Sequence, residues 1–248
     1  MSKLAKKARK SVVKRIRSLR QTICHVLRPQ CINHYGVRIP LDEDLLPPGM
    51  INWLYRGSFE SEEATACKRI IGSGDRVLEL GSCIGFISTL CAQRCGSDNV
   101  LSYEANPAME PLIRSTHRRN NVSPELRMRA IGPIAGRSRF KVGDNLSASH
   151  LATETESEII EVPCDSFEQV VGAFRPTVIV ADIEGTEVDI LPNTNLSTIR
   201  AVIVELHRSI TGEGAIDNLI HALEAQGLLL AGRPRGGVAI FERRAALR

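Results

Sequence analysis

Two groups of side chains in this sequence have types and spacings suited to chemistry. The first is Leu78-Glu79-Leu80-Gly81-Ser82-Cys83-Ile84-Gly85, an apolar run with a carboxylate near its end and two glycines four residues apart. Glycine lets backbone approach a ligand closely, and a helix that starts there offers N–H groups to electron-rich atoms. Glu104 stands 19 positions beyond Gly85, at the end of the next apolar run. A carboxylate so placed can accept both hydroxyls of a ribose. Together these residues predict a nucleotide-binding turn; a plain strand-to-helix turn would not require the acid.

The second group is Asp182-Ile183-Glu184-Gly185 and Glu205-Leu206-His207, each at the end of an otherwise apolar run. Residues two apart on a strand point the same way, so Asp182 is expected to share a direction with Glu184, and Glu205 with His207. If the two strands are neighbours, three carboxylates and an imidazole converge on the carboxyl edge of a sheet, where α/β proteins bind ligands. The missing middle glycine narrows the nucleotide. A dinucleotide turn needs glycine to admit a pyrophosphate, and Cys83 holds that place. S-adenosylmethionine has no pyrophosphate, and Glu79, Gly81 and Gly85 suit its methionine end better than they suit NAD.

The elements that must position these groups follow from hydrophobic period. From Arg76 onward, short apolar runs alternate with helical segments, which predicts a parallel sheet with crossover helices. Strands are expected at Val77 to Leu80, Val100 to Glu104, Leu126 to Ile131, Val178 to Asp182 and Ala201 to His207, with a terminal pair at Leu228 to Ala231 and Val238 to Phe241. Short extra strands, Arg137 to Val142 and Ile159 to Val162, flank a polar stretch from Asp144 to His150 that could cover an acceptor. Helices are expected from Ser58 to Ile71, from Gly85 to Arg94, from Pro107 to Asn120 and from Ala215 to Gln226. Residues 29–57, with Pro29, Pro40, Pro47 and Pro48, read as an irregular connector and lead-in, and residues 58–248 as one catalytic domain.

In these motifs the chain resembles the FkbM family of S-adenosylmethionine-dependent methyltransferases. The resemblance runs from about Ser58 to Arg208 and is carried by Val77 to Gly85, by Tyr103-Glu104-Ala105-Asn106-Pro107 and above all by Asp182-Ile183-Glu184-Gly185-Thr186-Glu187 before Ile190-Leu191. Glu79 stands where the family usually has Asp, Ser82 and Cys83 replace Ala-Asn, and Ala105 replaces a Pro. The resemblance implies a Rossmann-like class I methyltransferase fold: a mostly parallel seven-stranded α/β sheet with helices on both faces. It also implies O-methylation of a hydroxyl on a sugar, glycolipid or natural product. The cofactor set it suggests is Glu79, Gly81, Ser82, Gly85, Glu104, Ala105, Asn106, Ile131 and Asp182.

Methyl transfer needs alignment and a nearby base. His207 is the preferred base, because a free imidazole titrates near 6.5 and carboxylates near about 4. Glu205 would orient its ring, Asp182 would lie beside the methionine part of the cofactor, and Glu184 would bind the acceptor. The rival arrangement is a magnesium ion held by Asp182 and Glu184 with Glu205 or His207; the metal-free reading is preferred. A noncatalytic nucleotide-binding or scaffold protein of the same fold is the alternative from another class, but it would not need the strand-end polar groups. An RNA methyltransferase is disfavoured, because only 4% of the residues are aromatic and few could stack on bases.

Charge sets apart the start of the chain. Of 248 residues, the first 28 hold ten Lys or Arg and no Asp or Glu, so a net charge of +4 conceals a basic segment on an acidic body. Leu4, Ala8, Val12, Ile16, Leu19 and Ile23 recur every three or four positions, which predicts a basic amphipathic helix over residues 1–28. It is expected to dock on its own domain or a second subunit, or to attach to an anionic membrane; nucleic acid is disfavoured and an organelle transit role is a lesser alternative. Either way it is expected to lie outside the active site. No uncharged apolar run reaches the roughly 18 residues of a membrane span. Seven scattered cysteines, without paired short spacings, suit a reducing, cytoplasmic location with peripheral membrane contact.

Overall fold

The computed structural model describes residues 3–42, 45–141, 150–151, 159–232, 234 and 236–243. Residues 144–149 of the expected acceptor cover lie outside them. At the centre is a seven-stranded sheet. Its parallel part consists of β3 (Val77–Leu80), β4 (Val100–Glu104), β5 (Glu125–Met128), β10 (Val178–Ala181) and β11 (Ala201–Glu205). An antiparallel pair, β12 (Leu228–Leu230) and β13 (Val238–Arg243), closes one side, with β13 against β11. The order is β12-β13-β11-β10-β3-β4-β5. The chain therefore winds outward from β3 in one direction and returns to β10 to wind in the other. Ligands of such sheets bind where the order reverses, outside the carboxyl ends of the two central strands. Here those ends are Leu80 and Ala181, followed by Gly81 and Asp182.

Why these runs form buried strands follows from their alternation. Val178 and Val180 point into one apolar cluster, while Ile179 and Ala181 point into the other. Both faces are thus dry, which explains strands that are apolar almost throughout. The first face is covered by α2 (Pro48–Arg56), α3 (Ser61–Ile70) and α4 (Phe86–Cys95); α5 (Glu110–Arg119) packs beside α4. The second is covered by α6 (Phe167–Phe174), α7 (Glu187–Ile190) and α9 (Glu213–Ala225), with the short α8 (Arg208–Thr211) leading into α9. Cys91 and Cys95 are buried in α4 as packing residues, and all seven cysteines are free.

Two expectations are corrected. The segment after residue 28 is not an irregular connector: β1 (Cys31–His34) and β2 (Val37–Pro40) form an antiparallel hairpin that buries Ile32, Val37 and Ile39 in the first cluster. Prolines at Pro29 and Pro40 flank the hairpin rather than dissolve it. The third predicted strand, Leu126 to Ile131, is broken. The Arg129 N–H bonds back to the Arg127 carbonyl (3.0 Å), so β5 stays in the main sheet while β6 (Ala130–Gly132) turns away. It joins a four-stranded sheet with β7 (Gly136–Lys141), β8 (His150–Leu151) and β9 (Ile159–Ser166). Helix α6, directly after β9, was not anticipated.

Residues Lys3–Leu27 form the expected helix, α1, which packs on α2. Among the described residues, no helix is long and apolar enough to cross a membrane.

The hairpin's place in the core can be tested. Ile39 is fully buried, so Ile39→Ala should cost about 2–5 kcal/mol in urea unfolding. A loss within about 0.5 kcal/mol, typical of surface positions, would return the segment to the status of a peripheral connector.

Candidate functional site

After β3 the chain makes a tight loop before α4, with Gly81, Cys83 and Gly85 all at positive φ (89°, 48° and 73°). The N–H groups of Gly81 and Ser82 both donate to the Tyr103 carbonyl on β4, at 2.9 and 3.0 Å. Only glycine fits at position 81: a Cβ there would sit 1.9 Å from the Asp182 carbonyl oxygen. The close approach brings the loops after β3 and β10 together. At Gly85 a Cβ would press on the Ile113 backbone at 3.0 Å, so this glycine serves the packing of α4 on α5.

Glu104 ties the first loop to the second. Its carboxylate accepts the Cys83 N–H through one oxygen and the Asn106 N–H through the other, each at 2.8 Å. Every carboxylate oxygen has a further lone pair, so both remain able to accept a ribose hydroxyl. Burial pushes Glu104 up to about 7, with the Asn106 and Cys83 amides pulling in the opposite direction. Glu79 lies deeper, accepts the Ser82 hydroxyl at 2.7 Å, and is likewise pushed up to about 7 by burial.

These loops border a cavity of about 610 Å³, ample for a nucleoside-sized ligand. Gly81, Glu104, Ala105, Ile131 and Asp182 line it, as the cofactor set requires. Glu79, Ser82, Gly85 and Asn106 are not on its wall. They support it from behind: Ser82 and Glu79 brace the turn, Gly85 seats the helix, and the Asn106 side chain accepts the Ala108 N–H.

The second group does assemble, with different partners from those expected. The His207 Nε2 lies 3.3 Å from Asp182 Oδ1 and 3.3 Å from Glu184 Oε2, and Nδ1 lies 3.5 Å from Glu187 Oε1. Burial would lower the imidazole, but hydrogen bonds to Asp182 and Glu187, and their charges, lift it to about 11. Partners that favour the charged ring work against the expected use of His207 as a base. Glu205 is not its orienting partner either. The Glu205 carboxyl is hydrogen-bonded to that of Glu63, and burial together with the Asp182 and Glu63 charges raises it well above the carboxylate range.

Two acidic residues, Glu60 and Glu63, escaped the sequence reading, and Glu187 stood in the family motif without a role. Glu187 is almost fully buried and clasps the Asp182–Gly185 loop, accepting the Ile183 N–H at 2.7 Å and the Gly185 N–H at 2.8 Å. Its signal was its place at the head of a helical turn after a glycine. Glu60 and Glu63 reach the cavity from the start of α3, and nothing in their local pattern announces it. Glu60, Cys83 and Glu184 are all left-handed (φ 41°, 48° and 52°), and all three line the cavity. Such backbone is held only where the surroundings enforce it. Arg17 of α1 also lines the cavity, beside Trp53 of α2, which corrects the expectation that the basic segment stands apart from the site.

Asp182, Glu205 and His207 each offer one ligand atom, and these lie within 4.8 Å of one another. One imidazole beside two carboxylates is not the all-oxygen donor set that magnesium prefers. The residues do fit S-adenosylmethionine, with the glycine approach, the two free acceptor positions on Glu104 and an acid-lined wall for a positively charged ligand.

The sheet order and this carboxyl-edge cavity define an S-adenosylmethionine-dependent methyltransferase with a Rossmann-like class I fold. More particularly, the chain belongs to the FkbM methyltransferases: the family model described as the Methyltransferase FkbM domain matches residues 79–228. No curated protein matches the sequence. Among solved structures, the chain is similar to a methyltransferase from Pyrococcus furiosus, at 14% identity over 93% of this chain and 98% of that one, with a TM-score of 0.46. It is also similar to M. jannaschii TYW2 in complex with AdoMet, at 16% identity over 86% of each chain and a TM-score of 0.42. A third likeness is to ribosomal protein L11 methylase from Lactobacillus delbrueckii subsp. bulgaricus, at 12% identity over 75% and 80%, with a TM-score of 0.45.

Glu104 supplies a pH test. Its raised value means it loses its proton as pH rises through about 7, and the ionised form is the better acceptor for ribose hydroxyls. Affinity for S-adenosylmethionine should therefore strengthen between about pH 6 and about pH 8. In Glu104→Gln that dependence should vanish and affinity fall at least about tenfold. Calorimetry showing the same affinity, or the same slope, in the variant would remove Glu104 from the ribose site.

Proposed function

We propose that the protein transfers the methyl group of S-adenosylmethionine to a hydroxyl on a sugar, glycolipid or natural product. The observation that carries this reading is the pair of carboxylates, Asp182 and Glu184, set on the cavity wall either side of the His207 imidazolium. Two acceptor-only groups at the cofactor's edge suit an O–H donor that must lose its proton. Bound S-adenosylmethionine supplies an electrophilic methyl, whose bond to sulfur breaks as the new bond to oxygen forms, the sulfur keeping the electron pair.

The chain's own residues do the rest. Gly81 lets the loop backbone lie close to the cofactor, and Glu104 holds its ribose. Glu184 accepts the hydrogen bond of the acceptor hydroxyl and takes the proton as the oxygen is alkylated. Asp182 stands nearer the switch point, where it faces the positive methionine end. His207 is a positioning residue: its charge fixes both carboxylates, and Glu187 locks the loop that carries them.

Glu184→Gln should lower kcat by about 10²- to 10⁴-fold, the usual worth of a positioned base, while leaving cofactor affinity unchanged. The kcat profile of the unaltered protein should lack a rising limb near the ordinary histidine value of about 6.5. Such a limb, removed by His207→Gln, would restore histidine as the base. Labelled methyl recovered on nitrogen or carbon rather than as an ether would overturn the hydroxyl assignment.

A further inference from the structure

Helix α1 is mounted the wrong way round for a helix that belongs to a water-soluble surface. Part of its polar face meets the domain, with Cys24 packed against the core between the polar contacts. Gln21 and His25 both bond to the Asn52 side chain, at 3.0 and 2.9 Å. Arg56 donates to Gln21 at 2.7 Å, and Arg20 donates to the Asn33 carbonyl at 3.2 Å. The apolar stripe faces outward instead: Val12, Ile16, Leu19, Ile23 and Val26 are 55%, 61%, 63%, 47% and 78% exposed. The side chains of Leu4 and Ala8, which would extend the stripe, lie outside the described ones. A surface helix ordinarily buries such a stripe against its own core, and here the core side is already occupied by hydrogen bonds.

We propose that this face seats the enzyme on an anionic lipid bilayer and sets the mouth of the cavity at headgroup level, so that the methyl acceptor is carried by the membrane. Charge selects the occupant. The first 28 residues hold ten Lys or Arg and no acid, so basic side chains flank the apolar stripe as in helices that lie in a membrane interface. A second copy of the chain would bring an equally positive helix against this one, and like charges oppose that contact. Apolar side chains such as Ile and Leu insert among acyl chains but provide no stacking surface for nucleic acid. Position selects the acceptor. Arg17, on α1, and Trp53, 46% exposed on α2, both line the catalytic cavity. Residues of α1 and α2 thus form part of the cavity wall. The acceptor part of this inference rests on the proposed hydroxyl methylation; the docking part does not.

The test uses the full chain and two vesicle compositions, phosphatidylcholine alone and phosphatidylcholine with phosphatidylglycerol. The protein should sediment with the anionic vesicles only, and salt should release it. Ile16→Asp combined with Leu19→Asp changes exposed positions, so cofactor affinity should be unchanged while vesicle binding falls about tenfold or more. Equal binding by the variant, no binding by the unaltered protein, or a dimer that the double variant dissociates would each overturn the docking. With labelled S-adenosylmethionine and a membrane extract, label should enter the lipid-extractable fraction, and less of it with the double variant. Label confined to water-soluble products would overturn the membrane-borne acceptor. Absence of transfer to any acceptor would sink the proposed function instead, and vesicle binding would still decide the docking.

Discussion

The arrangement at the carboxyl edge depends on one partly buried imidazole set among three carboxylates. Asp182, Glu184 and Glu187 belong to a single loop and its following turn, and His207 belongs to the end of the neighbouring strand. Without the imidazolium these acids would repel one another in a poorly hydrated place; removing one partner of a buried ion pair typically costs about 3–5 kcal/mol. The ring therefore holds the β10 and β11 ends together. The contacts that make it a clamp also favour the protonated ring. Beyond this clamp the wall stays acidic, with Glu60, Glu63, Glu104 and Glu205 facing the cavity. Burial raises the pKa values of all four, and a ligand carrying sulfonium and ammonium charges would favour their ionised forms.

Much of this frame is legible in the sequence for a plain reason. Strands covered on both faces must be apolar along their length, so the first polar residue after each marks the edge where a ligand can bind. That logic located Gly81, Glu104, Asp182 and Glu205 correctly at strand ends. It failed one residue later, because alternation of side chains holds only while the backbone is extended. β11 stops at Glu205, and His207 has φ −84° and ψ 63°. Glu184 is left-handed at φ 52°. Neither residue keeps the direction that a spacing of two assigns it, and the partners of His207 come from the other strand's loop instead of from Glu205.

The remaining misses are of a different kind. Glu63 meets Glu205, and Arg129 meets Asp165 at 2.7 Å on the far side of the cavity. Contacts between residues so distant in sequence leave no local period to read. The hairpin β1–β2 was hidden by its prolines: Pro29 and Pro40 look like breakers, yet one precedes the ladder and the other ends it. The broken third strand was hidden by continuity. Leu126 to Ile131 remains a plausible strand by composition, and only the backbone bond between Arg129 and Arg127 divides it between two sheets. That division carries Ile131 to the cavity wall, so the site depends on a kink that side-chain pattern does not encode.

Periodicity has the same limit in α1. A spacing of three and four establishes that the helix has an apolar face, but it says nothing about what that face meets. The answer comes from the opposite face, where Arg20, Gln21 and His25 are engaged by Asn33, Asn52 and Arg56. Once those bonds are made, rotating the helix to bury the stripe would break them and strand polar groups against apolar neighbours. The orientation is thus set by polar satisfaction, and outward exposure of the stripe is its consequence. The helix is anchored to α2, and both helices contribute a residue, Arg17 and Trp53, to the cavity wall, so the orientation that exposes the stripe is fixed by the same elements that line the site.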